Sequence, residues 1–303
     1  MITPPAVHPG DIIGIVAPAR SITEQELTPF IDWAHLNGFA IKTGKYLFQR
    51  NHQFAGNEHQ RLKDIETMLK DDDVKLIMAA RGGYGCGRLL ETMNFNLFTD
   101  HPKWFAGFSD ATVFLSAINR QAGVETLHTF MPFSMFDQEN FNRASSESLL
   151  RALAGDRLSY RVAVNELNIA GQAQGVLTGG NLSVLYSLSG SPFEPQYEGR
   201  ILFLEDVDEY LYHIDRMILN LELRGIFKQI AGLIVGSFHQ MNDNTVPFGK
   251  NAFQIIAERA AKYNVPTLFG FPAGHEKFNH TLIIGREVTL TIRRDYAKLD
   301  FSG

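Results

Sequence analysis

The chain has 303 residues, 45% of them hydrophobic and 20% charged, the ordinary make-up of a globular protein able to bury a core in one large or two modest domains. A net charge of −5 with acids and bases well mixed argues against a nucleic-acid surface, which carries a basic excess or stripe. No stretch nears the roughly 18 consecutive apolar residues of a membrane helix. A single cysteine, Cys86, excludes an intrachain disulfide, and Met1-Ile2-Thr3-Pro4-Pro5 lacks the basic-then-apolar pattern of a signal peptide, so a soluble, cytoplasmic protein is expected.

Residues 12–17 read as a buried strand ending at Pro18. Leu27, Ile31, Ala34 and His35 recur at helical spacing over residues 24–37, and Gly38 ends that segment. A second strand covers 39–43. Leu62, Ile65, Met68 and Leu69 then line one face of a helix over 57–70. The next strand, 75–80, runs into a glycine-rich turn; the strand 104–108 runs into a helix over 110–120. This alternation predicts an open parallel sheet with helices on both faces, whose ligand crevice lies beyond the C-terminal strand ends. Residues 138–160 read as polar and loosely helical, with a domain boundary near 160. In the second half, strands are expected near 160–164, 172–177, 201–205, 231–237, 266–269 and 287–293. The strongest helix there is 208–224, with Leu211, Ile214, Met217, Ile218 and Leu221 as its apolar stripe and Gly225 as its stop.

Four segments could carry chemistry. Gly107-Phe108-Ser109-Asp110-Ala111 joins an apolar strand to a helix. Small residues on both sides of the serine permit a sharp turn that exposes its hydroxyl, and the N–H after it starts a helix, where an oxyanion is stabilised. The alternative is an ordinary helix N-cap. Arg81-Gly82-Gly83-Tyr84-Gly85-Cys86-Gly87-Arg88 also follows a strand. It completes neither a P-loop nor a dinucleotide motif, which leaves an oxyanion-donating turn or a tight packing turn. Glu205 continues the apolar strand Leu202-Phe203-Leu204, placed to orient a histidine, while Asp206 or Asp208 is expected to cap the following helix. His275 lies in a loop with Pro272 and Gly274. His275-Glu276-x3-His280 misses the zinc-peptidase spacing by one residue, so no metal and no cofactor is expected.

These segments together resemble the LD-carboxypeptidase family, which includes muramoyl-tetrapeptide carboxypeptidases and microcin C immunity peptidases. The resemblance rests on residues 14–19, 80–90 and 107–112, on Leu177-Thr178-Gly179-Gly180-Asn181-Leu182-Ser183, on Leu204-Glu205-Asp206 and Ile214-Asp215-Arg216-Met217, and on Gly274-His275-x3-Asn279, all in the family's order. It implies an α/β protein with an N-terminal flavodoxin-like parallel-sheet domain, residues 1–160, carrying the nucleophile. A smaller β-rich α/β domain, residues 161–303, would carry the Glu and His of the triad. It further implies a homodimer, a Ser109–His275–Glu205 triad, and oxyanion donors from the backbone of Gly83, with Gly82 as the other option, and of Asp110. The implied reaction is hydrolysis of the L,D-amide that releases terminal D-alanine from murein tetrapeptide, in peptidoglycan recycling. Arg81 is the candidate for the terminal carboxylate, the alternative being a brace for the glycine turn, and Tyr84 a further substrate contact.

Two departures stand out: His128-Thr129-Phe130-Met131-Pro132 where the family has His-Gly-Pro-Met, and no proline in Thr281-Leu282-Ile283-Ile284-Gly285. The competing readings are an amidase of peptide–nucleotide conjugates, with Tyr84, Phe130 and Phe133 as aromatic contacts, a catalytically silent binding protein of the same fold, and a cysteine hydrolase using Cys86.

Overall fold

The computed structural model describes residues 1–136 and 141–303. The chain forms two compact units. One comprises Met1–Asp156 with Lys277–Gly285, the other Arg157–Glu276 with Arg286–Gly303. The two units are not consecutive stretches of chain: the nine residues Lys277–Gly285 belong with the first.

In the first unit, β1 (Ile12–Val16), β2 (Ala40–Thr43), β3 (Val74–Ala79), β4 (Trp104–Gly107) and β5 (Thr126–His128) are parallel and lie in the order 5-4-3-1-2. That is the flavodoxin-like order, with its switch point between β1 and β3. The returning segment adds a strand at the β5 edge, Leu282–Ile284 (β11 in chain order), antiparallel to β5. Central strands read as continuous apolar runs because both faces are covered, and β3 and β4 are buried almost throughout. Helices Glu24–Leu36 and Glu58–Lys70 both open with capping boxes, Thr23 with Glu26 and Asn57 with Gln60, which satisfy otherwise orphaned N–H groups. Of the polar segment 138–160, residues 143–153 form a helix capped by Asn142; 138–140 lie outside the described residues.

The second unit holds a mixed seven-stranded sheet. Its strands are β6 (Ser159–Val162), β7 (Gly171–Asn181), β8 (Ile201–Val207), β9 (Gly232–His239), β10 (Thr267–Phe269), β12 (Glu287–Ile292) and β13 (Ala297–Phe301), in the order 10-9-8-7-12-13-6. β7 to β10 are parallel, and β12, β13 and β6 are antiparallel. The burial pattern follows from this. β8 is buried from Ile201 to Asp206, whereas β12 and β13 alternate buried and partly exposed positions, as a sheet with one wetter face requires. Helices Leu211–Leu223 and Ala252–Tyr263 pack Ile214, Met217, Ile218, Ile255 and Ile256 onto Leu202, Leu204 and Val235. Among the described residues no helix is long and apolar enough to cross a membrane.

Candidate active site

In the first unit, β4 delivers Ser109 at its C-terminal end. Phe108 is extended, with φ −152°, and Ser109 then turns to φ +59° before the short 3-10 turn Ser109–Ala111 and the helix Thr112–Ala122. A non-glycine residue in the left-handed region is uncommon and costs about 1–3 kcal/mol, so this geometry is that of a nucleophile elbow. Ser109 occupies neither cap position: it is the first residue of the 3-10 turn, which Phe108 precedes, and Ala111 is the N-cap of the helix that follows. The N-cap alternative therefore falls. Gly107 is needed for the sharp turn, because a Cβ there would stand 2.8 Å from the Cβ of Ala111.

The glycine turn after β3 lies directly against the serine. A Cβ on Gly82 would stand 2.9 Å from Ser109 Cβ and 3.0 Å from its Oγ, and Gly83 and Gly85 adopt φ +107° and +140°. Asp110 fixes the two turns together: its buried carboxylate accepts the Cys86 N–H at 2.8 Å. Burial pushes the Asp110 carboxyl up from its ordinary value, partly offset by that bond. Beneath the turn, the buried Arg61 guanidinium donates to the carbonyls of Pro18 and Gly85. Cys86 is buried, and burial together with the adjacent Asp110 charge pushes its thiol well above the ordinary value. A thiol kept protonated is a poor nucleophile, which disposes of the cysteine hydrolase.

Arg81 is held by its own unit. It donates to the Ser21 carbonyl at 3.2 Å, lies 3.5 Å from a Glu26 oxygen, and stacks on the Phe133 ring with its guanidinium carbon 3.8 Å from the centroid. Tyr84 is exposed and packs near Phe54. Phe130 is a core residue at 1% exposure, edge-on to Trp33, so it is not a substrate contact. The two departures from the family pattern prove to be neighbours within this unit. His128 registers with Leu282 in the β5–β11 pair, and the hydroxyls of Thr129 and Thr281 share a hydrogen bond of 2.8 Å.

In the second unit, β8 carries Glu205 into full burial, and its Oε2 lies 2.7 Å from Nδ1 of His275. Burial works against the charged imidazolium, but the Glu205 carboxylate outweighs it and raises the His275 pKa above its ordinary 6.5. The short distance depends on Gly274, at φ +117°. A Cβ there would stand 2.5 Å from Ser237 Oγ and 2.7 Å from Glu205 Oε2. Asp206 does not cap the helix Leu211–Leu223, which begins at Tyr210 without a side-chain cap, and neither does Asp208. The Asp206 carboxylate points instead to the neighbouring strand end, where it accepts from Asn181 Nδ2 at 3.0 Å and from the Ser183 N–H at 2.8 Å. Because Asn181 registers with Glu205 across β7–β8, Asp206 clamps the strand end beside the histidine's partner. Burial, then the adjacent Glu205 charge, lift its pKa from 3.8 to about 7. The Thr178-Gly179-Gly180-Asn181 stretch preceding Ser183 was the sequence signal for this clamp; its pairing with Asp206 was not readable. Among the described residues no group of three or more His, Cys, Asp or Glu comes together as metal ligands would.

The first unit thus holds a serine in the left-handed region at a strand end of a flavodoxin-type sheet, and the second an imidazole paired with a buried carboxylate. Similarity to known proteins gives the class. Residues 13–129 match the LD-carboxypeptidase N-terminal domain and residues 174–290 the LD-carboxypeptidase C-terminal domain. A probable murein peptide carboxypeptidase of Bacillus subtilis is 32% identical, covering 98% of this chain and 94% of its own length. The murein tetrapeptide carboxypeptidase of Pseudomonas aeruginosa is 30% identical over 92% of both chains. The crystal structure of muramoyltetrapeptide carboxypeptidase from Oxalobacter formigenes superposes with a TM-score of 0.89 at 28% identity, covering 96% of this chain and 99% of the other. The wild-type apo structure of the microcin C7 self immunity protein gives 0.88 at 20% identity, covering 99% and 98%, and shows the shared fold. The chain belongs to the LD-carboxypeptidase family, and it is a peptidase of serine type.

Proposed function

We propose that the protein hydrolyses the L,D-amide bond that releases terminal D-alanine from murein tetrapeptide, through an acyl-enzyme on Ser109. The observation that carries this reading is the pairing of His275 with a fully buried Glu205 at 2.7 Å, in a chain whose other unit bends Ser109 to φ +59° at a strand end. In the proposed reaction His275 takes the Ser109 proton and the oxygen attacks the scissile carbonyl. Glu205 keeps the proton-bearing Nδ1 side of the ring turned to itself and stabilises the imidazolium. The N–H groups of Gly83 and Asp110 receive the oxyanion, each worth about 3–4 kcal/mol in comparable sites. His275 then protonates the leaving D-alanine amine, and water resolves the ester by the same relay in reverse. Relatives named as murein peptide and murein tetrapeptide carboxypeptidases support the substrate class.

On this reading the N-terminal unit supplies the nucleophile and the C-terminal unit the base and its partner. The protein works in the cytoplasm as a homodimer, which sedimentation equilibrium would check. D-alanine release from murein tetrapeptide, followed by chromatography, tests the reaction. Ser109→Ala is expected to lose at least about 10³-fold in kcat, and undiminished release by that variant would remove the nucleophile.

A further inference from the structure

A carboxypeptidase must recognise a terminal carboxylate. Covalent geometry says where: in the last residue the carboxylate carbon is three bonds from the scissile carbonyl carbon, within about 4 Å of it. The recognising cation must therefore stand beside the oxyanion turn. Arg81 is in that neighbourhood, but its guanidinium is already committed to the Ser21 carbonyl, Glu26 and the face of Phe133.

A second arginine has no such commitment. Arg20 follows β1 through Ala17-Pro18-Ala19, and β1 is the neighbour of β3. Its backbone is fixed on both sides: Arg20 bridges Phe54, Ala55 N–H donates to Ala19 and Ser21 N–H donates to Gln53. Its side chain crosses the glycine turn through the space that Gly83 leaves free; a Cβ on Gly83 would stand 2.5 Å from Arg20 Cδ and 2.6 Å from its Nε. Gly82, one residue earlier, is the glycine that abuts Ser109. Arg20 is exposed, and no carboxylate among the described residues pairs with it. Its charge reaches the nucleophile turn: Asp110, pushed up chiefly by burial, is drawn back down in part by Arg20. Along the C-terminal edge of the sheet the order is Ser109 after β4, the glycine turn after β3 and Arg20 after β1.

We propose that Arg20 is the specificity-determining residue that binds the C-terminal carboxylate of the substrate, a role that rests on the carboxypeptidase reading above. Gly83 is a glycine at that position for two reasons on this view: its φ, and the passage it leaves for the arginine stem. A planar guanidinium can grip a carboxylate with two parallel hydrogen bonds, and a lysine supplies only a point charge.

The test compares murein tetrapeptide with the same peptide ending in D-alaninamide. For Arg20→Gln, kcat/KM on the free acid is expected to fall about 10- to 100-fold, mainly through KM, while the amide is turned over within about threefold of the wild-type rate. Arg20→Lys should recover part of the loss on the acid alone. Equal losses on acid and amide, or none on the acid, would overturn the proposal. Calorimetric binding of the two peptides to Ser109→Ala, with and without Arg20→Gln, reads the same discrimination without chemistry. If the wild type hydrolyses neither peptide, the reaction reading fails, yet the binding preference for the acid and its loss in Arg20→Gln still decide the role of Arg20.

Discussion

Replacing Glu205 by Gln removes a charge from the centre of the proposed relay with almost no change in shape. Glu205 is fully buried and its Oε2 stands 2.7 Å from His275 Nδ1, so no water takes over the lost role. The substituted amide can turn its NH2 toward Nδ1, which forces the ring proton onto Nε2 and leaves no base for the serine. If it turns its oxygen instead, the imidazolium formed during attack faces a neutral dipole rather than a carboxylate. Loss of an orienting carboxylate in a comparable triad lowers kcat by about 10⁴. We expect about 10³ to 10⁴ here, or roughly 4–5.5 kcal/mol at 1.36 kcal/mol per tenfold.

The pH profile separates orientation from general damage. His275 must be neutral to act as base, so activity is lost as pH falls through its pKa. In the wild type burial opposes the charged ring but Glu205 overcomes it, placing that acid limb above the ordinary 6.5. In Glu205→Gln burial acts without the carboxylate, and the limb shifts to lower pH. Initial rates of D-alanine release from about pH 5 to 9, with kcat and KM separated, measure both effects. A kcat loss smaller than tenfold, or an acid limb that stays put or moves up, would refute the assignment of Glu205.

Gly274→Ala should damage the same pair sterically. The new Cβ would stand 2.7 Å from Glu205 Oε2 at a backbone φ of +117°, costing about 1–3 kcal/mol of stability and about 100-fold in kcat through displaced groups; a thermal melt with steady-state kinetics checks it, and wild-type kcat would contradict it. Asp206→Asn should flatten the pH dependence of stability. With a folded pKa of about 7 against an ordinary 3.8, the native state holds a proton that the unfolded chain releases. This contribution is complete below 3.8 and is lost as pH rises through about 7. At about 1.36 kcal/mol per pKa unit the slope is worth at most about 4 kcal/mol. Urea unfolding at about pH 4 and pH 8 compares the two proteins, and an unchanged difference between the pH values would show that Asp206 does not hold that proton.

Strands and helices with a clear period were legible in the sequence. The apolar runs of β1, β3 and β4 and the stripe of Leu211–Leu223 fall within a few residues of expectation. β11 was not legible, because Leu282–Ile284 is three apolar residues whose pairing with β5 is fixed only by the chain's return to the first unit. β13 was missed because Ala297-Lys298-Leu299-Asp300-Phe301 is short and half polar, a strand made by its antiparallel neighbours on both sides. The chemical residues were legible as types in suggestive places: a serine between small residues, an acid at a strand end, a histidine beside glycine. Arg20 was invisible, since a lone arginine in the loop after β1 carries no signal until Gly83 is seen to make room for it.

Spatial order explains why the informative spacings look arbitrary along the chain. A parallel sheet ordered 2-1-3-4-5 opens a crevice where neighbouring crossovers leave in opposite directions, between β1 and β3. Residues 20, 82–83 and 109 become successive positions on one edge although nearly ninety residues separate the first from the last. In the second unit the same principle acts on a smaller scale. Glu205 lies near the end of β8, Ser237 lies on the adjacent β9, and Gly274 crowds both closely enough that a single methyl group would collide with each. The strain at Ser109 is set by Gly107, Asp110 and Cys86 within its own unit, and the imidazole by Glu205 and Gly274 within the other. Each half of the proposed chemistry is therefore preorganised by packing local to it.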